Sequence, residues 1–288
     1  MNSTEACIAL NMVAKMGPVR LRKLLEVFET PERILAAKRS ELRVVEGIGN
    51  EVAEEIANWE STVDLAAELE KIREFGVEVI TAQSPTYPRQ LREIHAPPIV
   101  LYVWGELTER DQHAIGVIGS RRTSHYGAEC AKKLSYQLAY AGLTVISGLA
   151  RGIDTAAHQG AIAAKGRTIA VIGSGLTKLY PPENAALAEK IRSGNGAVVS
   201  EFSMAVEPDR QTFPMRNRII SGWSHGLSQT AKKVSPSRTL RMRVRAGVRL
   251  GDRVATAKLA ARVRTHVLLA LFRGRVDQHV RWPPERRP

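Results

Sequence analysis

Along the middle of the chain, from Ala114 to Ser200, the apolar positions come as short continuous runs rather than in alternation. Val117-Ile118, Val145-Ile146, Val171-Ile172 and Ala197-Val198-Val199 each lead into a turn rich in glycine or serine. Polar and apolar residues then mix at helical spacing from about Gly127 to Ala141, Ile153 to Lys165 and Asn184 to Arg192. β-Branched runs alternating with amphipathic helices predict a parallel sheet covered on both faces, the doubly wound α/β arrangement. In such a sheet the loops that follow the strands gather at one edge. That edge should collect Gly119, Ser120, Arg121 and Arg122 after the first run, Arg151 after the second, Gly173, Ser174 and Gly175 after the third, and the segment beyond Glu201.

Before this region the pattern is helical. Ala9 to Met16, Pro18 to Phe28 and Pro31 to Ala37 are short amphipathic stretches, with Pro18 and Pro31 where a first helical turn accepts proline. Glu51 to Trp59 and Val63 to Phe75 follow, the latter closed by Gly76, and Val77 to Thr81 reads as a strand. Leu42 to Asn50 contains Gly47-Ile48-Gly49 opening a helix, the turn of a helix-hairpin-helix, whose amides can hold a phosphate. Glu46, Glu51, Glu54 and Glu55 crowd that turn and would repel a nucleic-acid backbone, which favours a structural or interaction role. Prolines at 85, 88, 97 and 98 punctuate the entry into the sheet.

The edge has the chemistry of an anion site. Arginines placed directly after strand-ending turns offer planar donors for phosphate oxygens, beside helix N-termini. Turn geometry alone also calls for glycine in these loops. A second cluster, Phe213-Pro214-Met215-Arg216-Asn217-Arg218, joins phosphate donors to a ring on which a base could stack; the same ring could serve as a core anchor. Neither the dinucleotide fingerprint nor a P-loop is present, and Cys7 and Cys130 are the only cysteines, without metal-ligand spacing. No nucleophile stands next to a base, so the sequence gives no catalytic residue, no metal and no cofactor. Asp154 and His158 lie four apart on one helical face; a structural role, with Asp154 near a cap position, is favoured over a catalytic one.

Four segments, in order, carry a resemblance: Ile118 to Gly127, Ser147 to His158, Gly175 to Asn184, and Phe213 to Gly222. They resemble the DprA (Smf) family of DNA-processing proteins over most of residues 1 to 222, and the first part is similar to that family's SAM-like helical domain. The resemblance implies an extended Rossmann-like domain that binds single-stranded DNA without sequence preference and is not an enzyme. It further implies protection of incoming DNA during natural transformation, loading of the recombinase RecA, contact with single-strand-binding protein, and a homodimer. Carried over by position, Gly119, Ser120, Arg121, Arg122, Arg151, Gly173, Ser174, Gly175, Phe213, Arg216, Asn217 and Arg218 would form the DNA site. The expected organisation is a helical domain over 1–75, a Rossmann-like domain over 76–222 and an atypical tail over 223–288. A nucleotide- or phosphometabolite-binding enzyme of Rossmann type is the alternative use of the same edge, and a non-functional truncated product is a third reading.

Charge separates the tail from the rest. From Ser224 onward thirteen Arg and three Lys stand against Asp252, Asp277 and Glu285, which accounts for the whole net charge of +13; the preceding residues carry equal numbers of acids and bases. DNA affinity in residues 1 to 223 must therefore come from local arginines rather than from a global field. The resemblance calls for further strands and a Ser-Gly-Ser-Leu helix start after Gly222, and the chain has arginine-rich sequence there instead. An out-of-frame reading of a longer gene accounts for an abrupt, nearly acid-free tail better than a basic nucleic-acid arm or a helical extension does. The later strands would carry the family's dimer surface. No run of about eighteen apolar residues and no basic, then apolar, leader occurs, which predicts a cytoplasmic protein without a membrane span.

Overall fold

The computed structural model describes residues 1–230 and 241–244. Seven helices come first: α1 (Ser3–Met12), α2 (Pro18–Phe28), α3 (Pro31–Ala36), α4 (Arg39–Leu42), α5 (Asn50–Ala57), α6 (Trp59–Thr62) and α7 (Leu65–Phe75). Their ends follow from side-chain chemistry. Asn2 accepts the Glu5 N–H at 2.9 Å while the Glu5 carboxylate accepts the Asn2 N–H at 2.9 Å, a capping box that starts α1 well before Ala9. Pro18 and Pro31 sit in first turns, Asp64 caps α7 through Ala67, and Gly76 closes it in the left-handed region.

The remaining elements are β1 (Glu78–Thr81), α8 (Arg89–Arg92), β2 (Val100–Gly105), β3 (Ala114–Gly119), α9 (His125–Tyr140), β4 (Thr144–Ser147), α10 (Ile153–Ala163), β5 (Thr168–Val171), α11 (Ala185–Arg192), β6 (Gly196–Ser200), α12 (Thr212–Trp223), β7 (Gly226–Thr230) and β8 (Arg241–Val244). They build one sheet in the order β1-β2-β6-β5-β4-β3-β7-β8. The five central strands, β6 to β7 in that order, are parallel; β1, β2 and β8 join antiparallel at the edges. The fold is thus the expected Rossmann-like doubly wound sheet preceded by a helical region.

Alternate residues of each central strand feed opposite cores. Val145, with Ile115 and Val117, packs under α9 and α10 against Leu134, Leu138 and Ile153. Ile146, Ile169 and Val199 face the other side, where Ile219, Ile220 and Trp223 of α12 cover them. The Trp223 indole N–H donates to the Asp111 carbonyl at 2.9 Å, which satisfies its one polar atom inside the core.

The N-terminal helices share a continuous core with the sheet: Ile8, Leu10, Leu24, Ile56 and Val77 lie in one cluster with Val100, Tyr102, Ile172, Leu187 and Val198. Buried Glu68 of α7 accepts the Met204 N–H at 2.8 Å, and Asn11 of α1 donates to the Glu201 carbonyl at 3.0 Å. The helical region therefore braces the loop that leads from β6 to α12.

The sheet also continues beyond Gly222, where the sequence ends the Rossmann-like domain. β7 lies beside β3 because Gly116 has no side chain; a Cβ there would come within 2.5 Å of Leu227 Cδ2. β8 follows as a strand, in keeping with the period-two arginines at 241 and 243. The rest of the tail, residues 231–240 and 245–288, where most of the out-of-frame reading falls, lies outside the described residues. No described helix is long and apolar enough to cross a membrane.

Candidate functional site

The loops after β3, β4, β5 and β6 converge on one edge of the sheet, and their packing decides which side chains reach solvent. Ser120 closes the first loop on itself: its hydroxyl donates to the Arg122 carbonyl at 2.7 Å and accepts the Arg122 N–H at 3.2 Å. Arg121 and Arg122 are left exposed. The second loop passes directly beneath, and Gly152 makes that possible. Its φ of +80° is unfavourable for an L side chain, and a Cβ would meet the Arg121 carbonyl oxygen at 2.8 Å. Arg151, the residue before it, is exposed at the same edge.

A strip of rings and guanidinium groups runs across this edge. The Arg121 guanidinium lies 4.7 Å from the centre of the Phe213 ring. Phe213 tilts against Tyr180 with ring centres 5.9 Å apart, and Arg151 lies 5.8 Å from the centre of the Tyr180 ring. Arg151 is also ion-paired with Glu183, with a second contact at 3.1 Å, so its charge is partly answered within the protein. The side-chain amide of buried Asn184 donates to the Leu149 carbonyl at 2.8 Å and to Thr155 Oγ1 at 2.9 Å, which ties the Tyr180–Glu183 segment to the β4–α10 loop.

Phe213 is set by the start of α12. The Thr212 hydroxyl donates to the Gly173 carbonyl, and the Phe213 ring rests on Gly173, where a Cβ would stand 2.9 Å from its Cδ1. Gly173 serves as the floor beneath the ring. Ser174 and Gly175 turn inward: the Ser174 hydroxyl donates to the Lys178 carbonyl at 2.7 Å, and the Gly175 N–H donates to the Val206 carbonyl at 2.8 Å. They build the turn and do not offer those groups to a ligand. Gly119 packs against Ile153 and likewise supports the loop.

The three polar residues of the 216–218 cluster separate because a helix turns them to different sides. Asn217 is exposed. Arg218 is half-buried and ion-paired with Glu201. Arg216 is only 3% exposed and donates to the Val171 carbonyl, so it lies under the strip rather than on it. It shares the space over Gly148 with Asp154: a Cβ on Gly148 would come within 2.5 Å of both Arg216 Nη2 and Asp154 Oδ2. Burial lowers Arg216 to about 10 against the pull of Asp154, and Arg121 lowers it further. Burial raises Asp154, partly offset by Arg216.

Asp154 does not cap α10, whose first residues follow Gly152. It reaches back to accept the Gly148 N–H at 3.1 Å. His158 accepts the Leu149 N–H on Nε2 at 3.3 Å and donates from Nδ1 to Thr168 Oγ1 at 2.7 Å; the Thr168 hydroxyl is in turn committed to the Val145 carbonyl at 2.7 Å. A ring that must accept at Nε2 is neutral, and complete burial pushes its pKa down to about 3. Both residues pin the turn that carries Arg151. Tyr180, Glu183 and Asn184 adjoin this strip, although residue chemistry alone does not assign them to it; they lie in the segment Gly175 to Asn184 that carries the resemblance. No group of three or more potential metal ligands occurs among the described residues.

The family model described as DNA recombination-mediator protein A matches residues 78–235, and a model for a SAM-like helix-hairpin-helix tandem matches residues 8–58. Protein Smf of Synechocystis sp. is 38% identical over 231 residues, 78% of this chain and 58% of that protein. The DNA processing protein DprA of Bacillus subtilis is 40% identical over 156 residues, 54% of this chain and 52% of that protein. The chain spans about half the length of the curated relatives it matches. The crystal structure of DNA processing protein A from Streptococcus pneumoniae superposes with a TM-score of 0.68 at 28% identity, covering 91% of this chain and 85% of that one.

Proposed function

The chain belongs to the DNA recombination-mediator protein A family, and from that premise we propose that the strip Arg121–Phe213–Tyr180–Arg151 binds single-stranded DNA without sequence preference. The observation that carries the reading is Arg121 seated on the Phe213 ring at an exposed sheet edge. A guanidinium held over an aromatic ring keeps donors free for a phosphate, while the neighbouring Tyr180 ring offers a face to a base. A duplex conceals base faces in its stack, so this pairing of groups favours an unpaired strand. Arg122 and Asn217, both exposed, serve at the rim as further polar contacts, and Arg216 and Arg218 act from beneath by holding α12 in place.

A binding reading is also supported by what Asp154 and His158 do. A small-molecule enzyme using this crevice would draw on them as its acid and base, and both are committed to loop amides. The finer expectations rest on the family resemblance: protection of incoming DNA in transformation, delivery of the strand to RecA, and contact with single-strand-binding protein. Titrating a labelled mixed-sequence oligonucleotide tests the site. Tyr180→Ala should weaken binding by about 1–3 kcal/mol, the worth of one base stacked on an aromatic ring. Unchanged affinity in a folded variant would remove Tyr180 from the site.

A further inference from the structure

We infer that the outer face of α9 extends the strand-binding surface away from the sheet edge, with Tyr126, Tyr136 and Tyr140 as stacking platforms for successive bases. This rests on the reading of the Arg121 site above. Tyr126 is 40% exposed in the first turn of α9, on the same loop-to-helix junction as Arg121 and Arg122. Tyr136 is 38% and Tyr140 67% exposed. Residues seven, three and four apart lie over one another on a helix, so Tyr126, Lys133, Tyr136 and Tyr140 form one stripe. At 1.5 Å rise per residue it reaches about 21 Å from Tyr126 to Tyr140.

Three features distinguish this stripe from scattered surface tyrosines. The Tyr136 and Tyr140 rings are nearly parallel, 8° apart with centres 6.2 Å from each other, and both are exposed. Lys132 and Lys133 are exposed beside them, and Glu129, half-buried, is the one carboxylate of the helix, so the face is cationic in balance. The stripe also begins where the proposed phosphate site ends. Flat rings interleaved with cations and continuous with an anion site fit a single strand, whose bases stack without regard to sequence. A second copy of the chain or a protein partner would be drawn by the aromatic surface alone.

The test compares oligothymidylates of about 6 and about 20 nucleotides, lengths that bracket a short and a long single-strand site, on the full chain. Tyr136→Leu with Tyr140→Leu should leave the short oligonucleotide bound as in the parent and weaken the long one at least about fivefold per ring, while Tyr136→Phe with Tyr140→Phe retains parental affinity. Equal loss with Leu and with Phe, or no loss on the long strand, overturns the proposal. So does a Leu variant whose only change is a smaller species in sedimentation, which would assign the face to an interface between copies. Short-strand binding that ignores Arg121→Ala would instead count against the Arg121 site itself, separately from the stripe.

Discussion

Lowering the pH should reveal His158 through stability. Its pKa is about 3 in the folded chain and 6.5 when free, so below about 6.5 the unfolded chain takes up a proton that the folded one refuses. The contribution is complete above the free value and is lost progressively as pH falls toward the folded one. Between about pH 7 and pH 5 the loss comes to about 2 kcal/mol, a sizeable part of the 5–15 kcal/mol by which domains are stable. Asp154 and Glu201, raised by burial, act with opposite sign, because the folded chain takes up their protons first. The parent's own pH curve therefore mixes these effects, and His158→Gln separates them. That variant keeps a polar side chain but does not titrate. Urea unfolding of both proteins at several pH values gives the stability gap between them. The gap should narrow by about 2 kcal/mol from about pH 7 to pH 5 as the parent loses its neutral-histidine advantage. A gap that stays constant would mean that His158 titrates as freely as in the unfolded chain, and the account of the 147–149 turn would fall with it.

Other consequences follow from the same packing. Gly152→Ala should cost about 1 kcal/mol or more of stability through its positive φ and its contact with the Arg121 carbonyl, and it should weaken DNA binding by shifting Arg121; urea midpoints and oligonucleotide titration read the two effects. Arg216→Leu should destabilise by about 3–5 kcal/mol, because Asp154 would be left buried without its cation; equal midpoints for variant and parent would show that the Asp154 charge is answered elsewhere. Trp223→Ala should cost about 3–5 kcal/mol by emptying the core beneath α12 and releasing the Asp111 contact, again by urea midpoint. Resequencing the codons for Asn217 to Lys233 and translating the other frames should restore a Ser-Gly-Ser-Leu helix start; a confirmed reading with no such frame would make the basic tail a true part of the chain.

The β-branched runs made the centre of the sheet legible, since a strand buried on both faces has no polar alternation to disguise it. Pro18, Pro31 and Gly76 marked helix ends correctly because proline and glycine act through backbone geometry that tertiary contacts rarely override. The start of α1 was missed although Asn2 and Glu5 stand three apart, the spacing of a capping box. α12 was harder to see. Its buried arginine interrupts the apolar stripe of Ile219, Ile220 and Trp223, and Arg216 is tolerated there because Gly148 leaves room, Asp154 supplies charge and the Val171 carbonyl accepts a hydrogen bond, three partners distant in sequence. For the same reason the cluster Arg216-Asn217-Arg218 read as a row of phosphate donors when helical rotation sends each residue to a different side. Arg121, Arg151 and Phe213 did come together, as loops at one sheet edge must. Tyr180 and Glu183 were invisible as site members because their placement depends on Asn184 clasping Leu149 and Thr155.

The most direct test of the central claim is the salt dependence of single-strand binding, measured on parent and Arg121→Ala with oligonucleotides of different sequence. The basic tail adds to the slope of both proteins, so the difference between them isolates Arg121. If Arg121 neutralises one phosphate, the variant's slope of log affinity against log salt should be shallower by about 0.7, with the same loss of affinity on every sequence. Identical slopes and affinities for the two proteins would contradict the assignment of the strand to this edge.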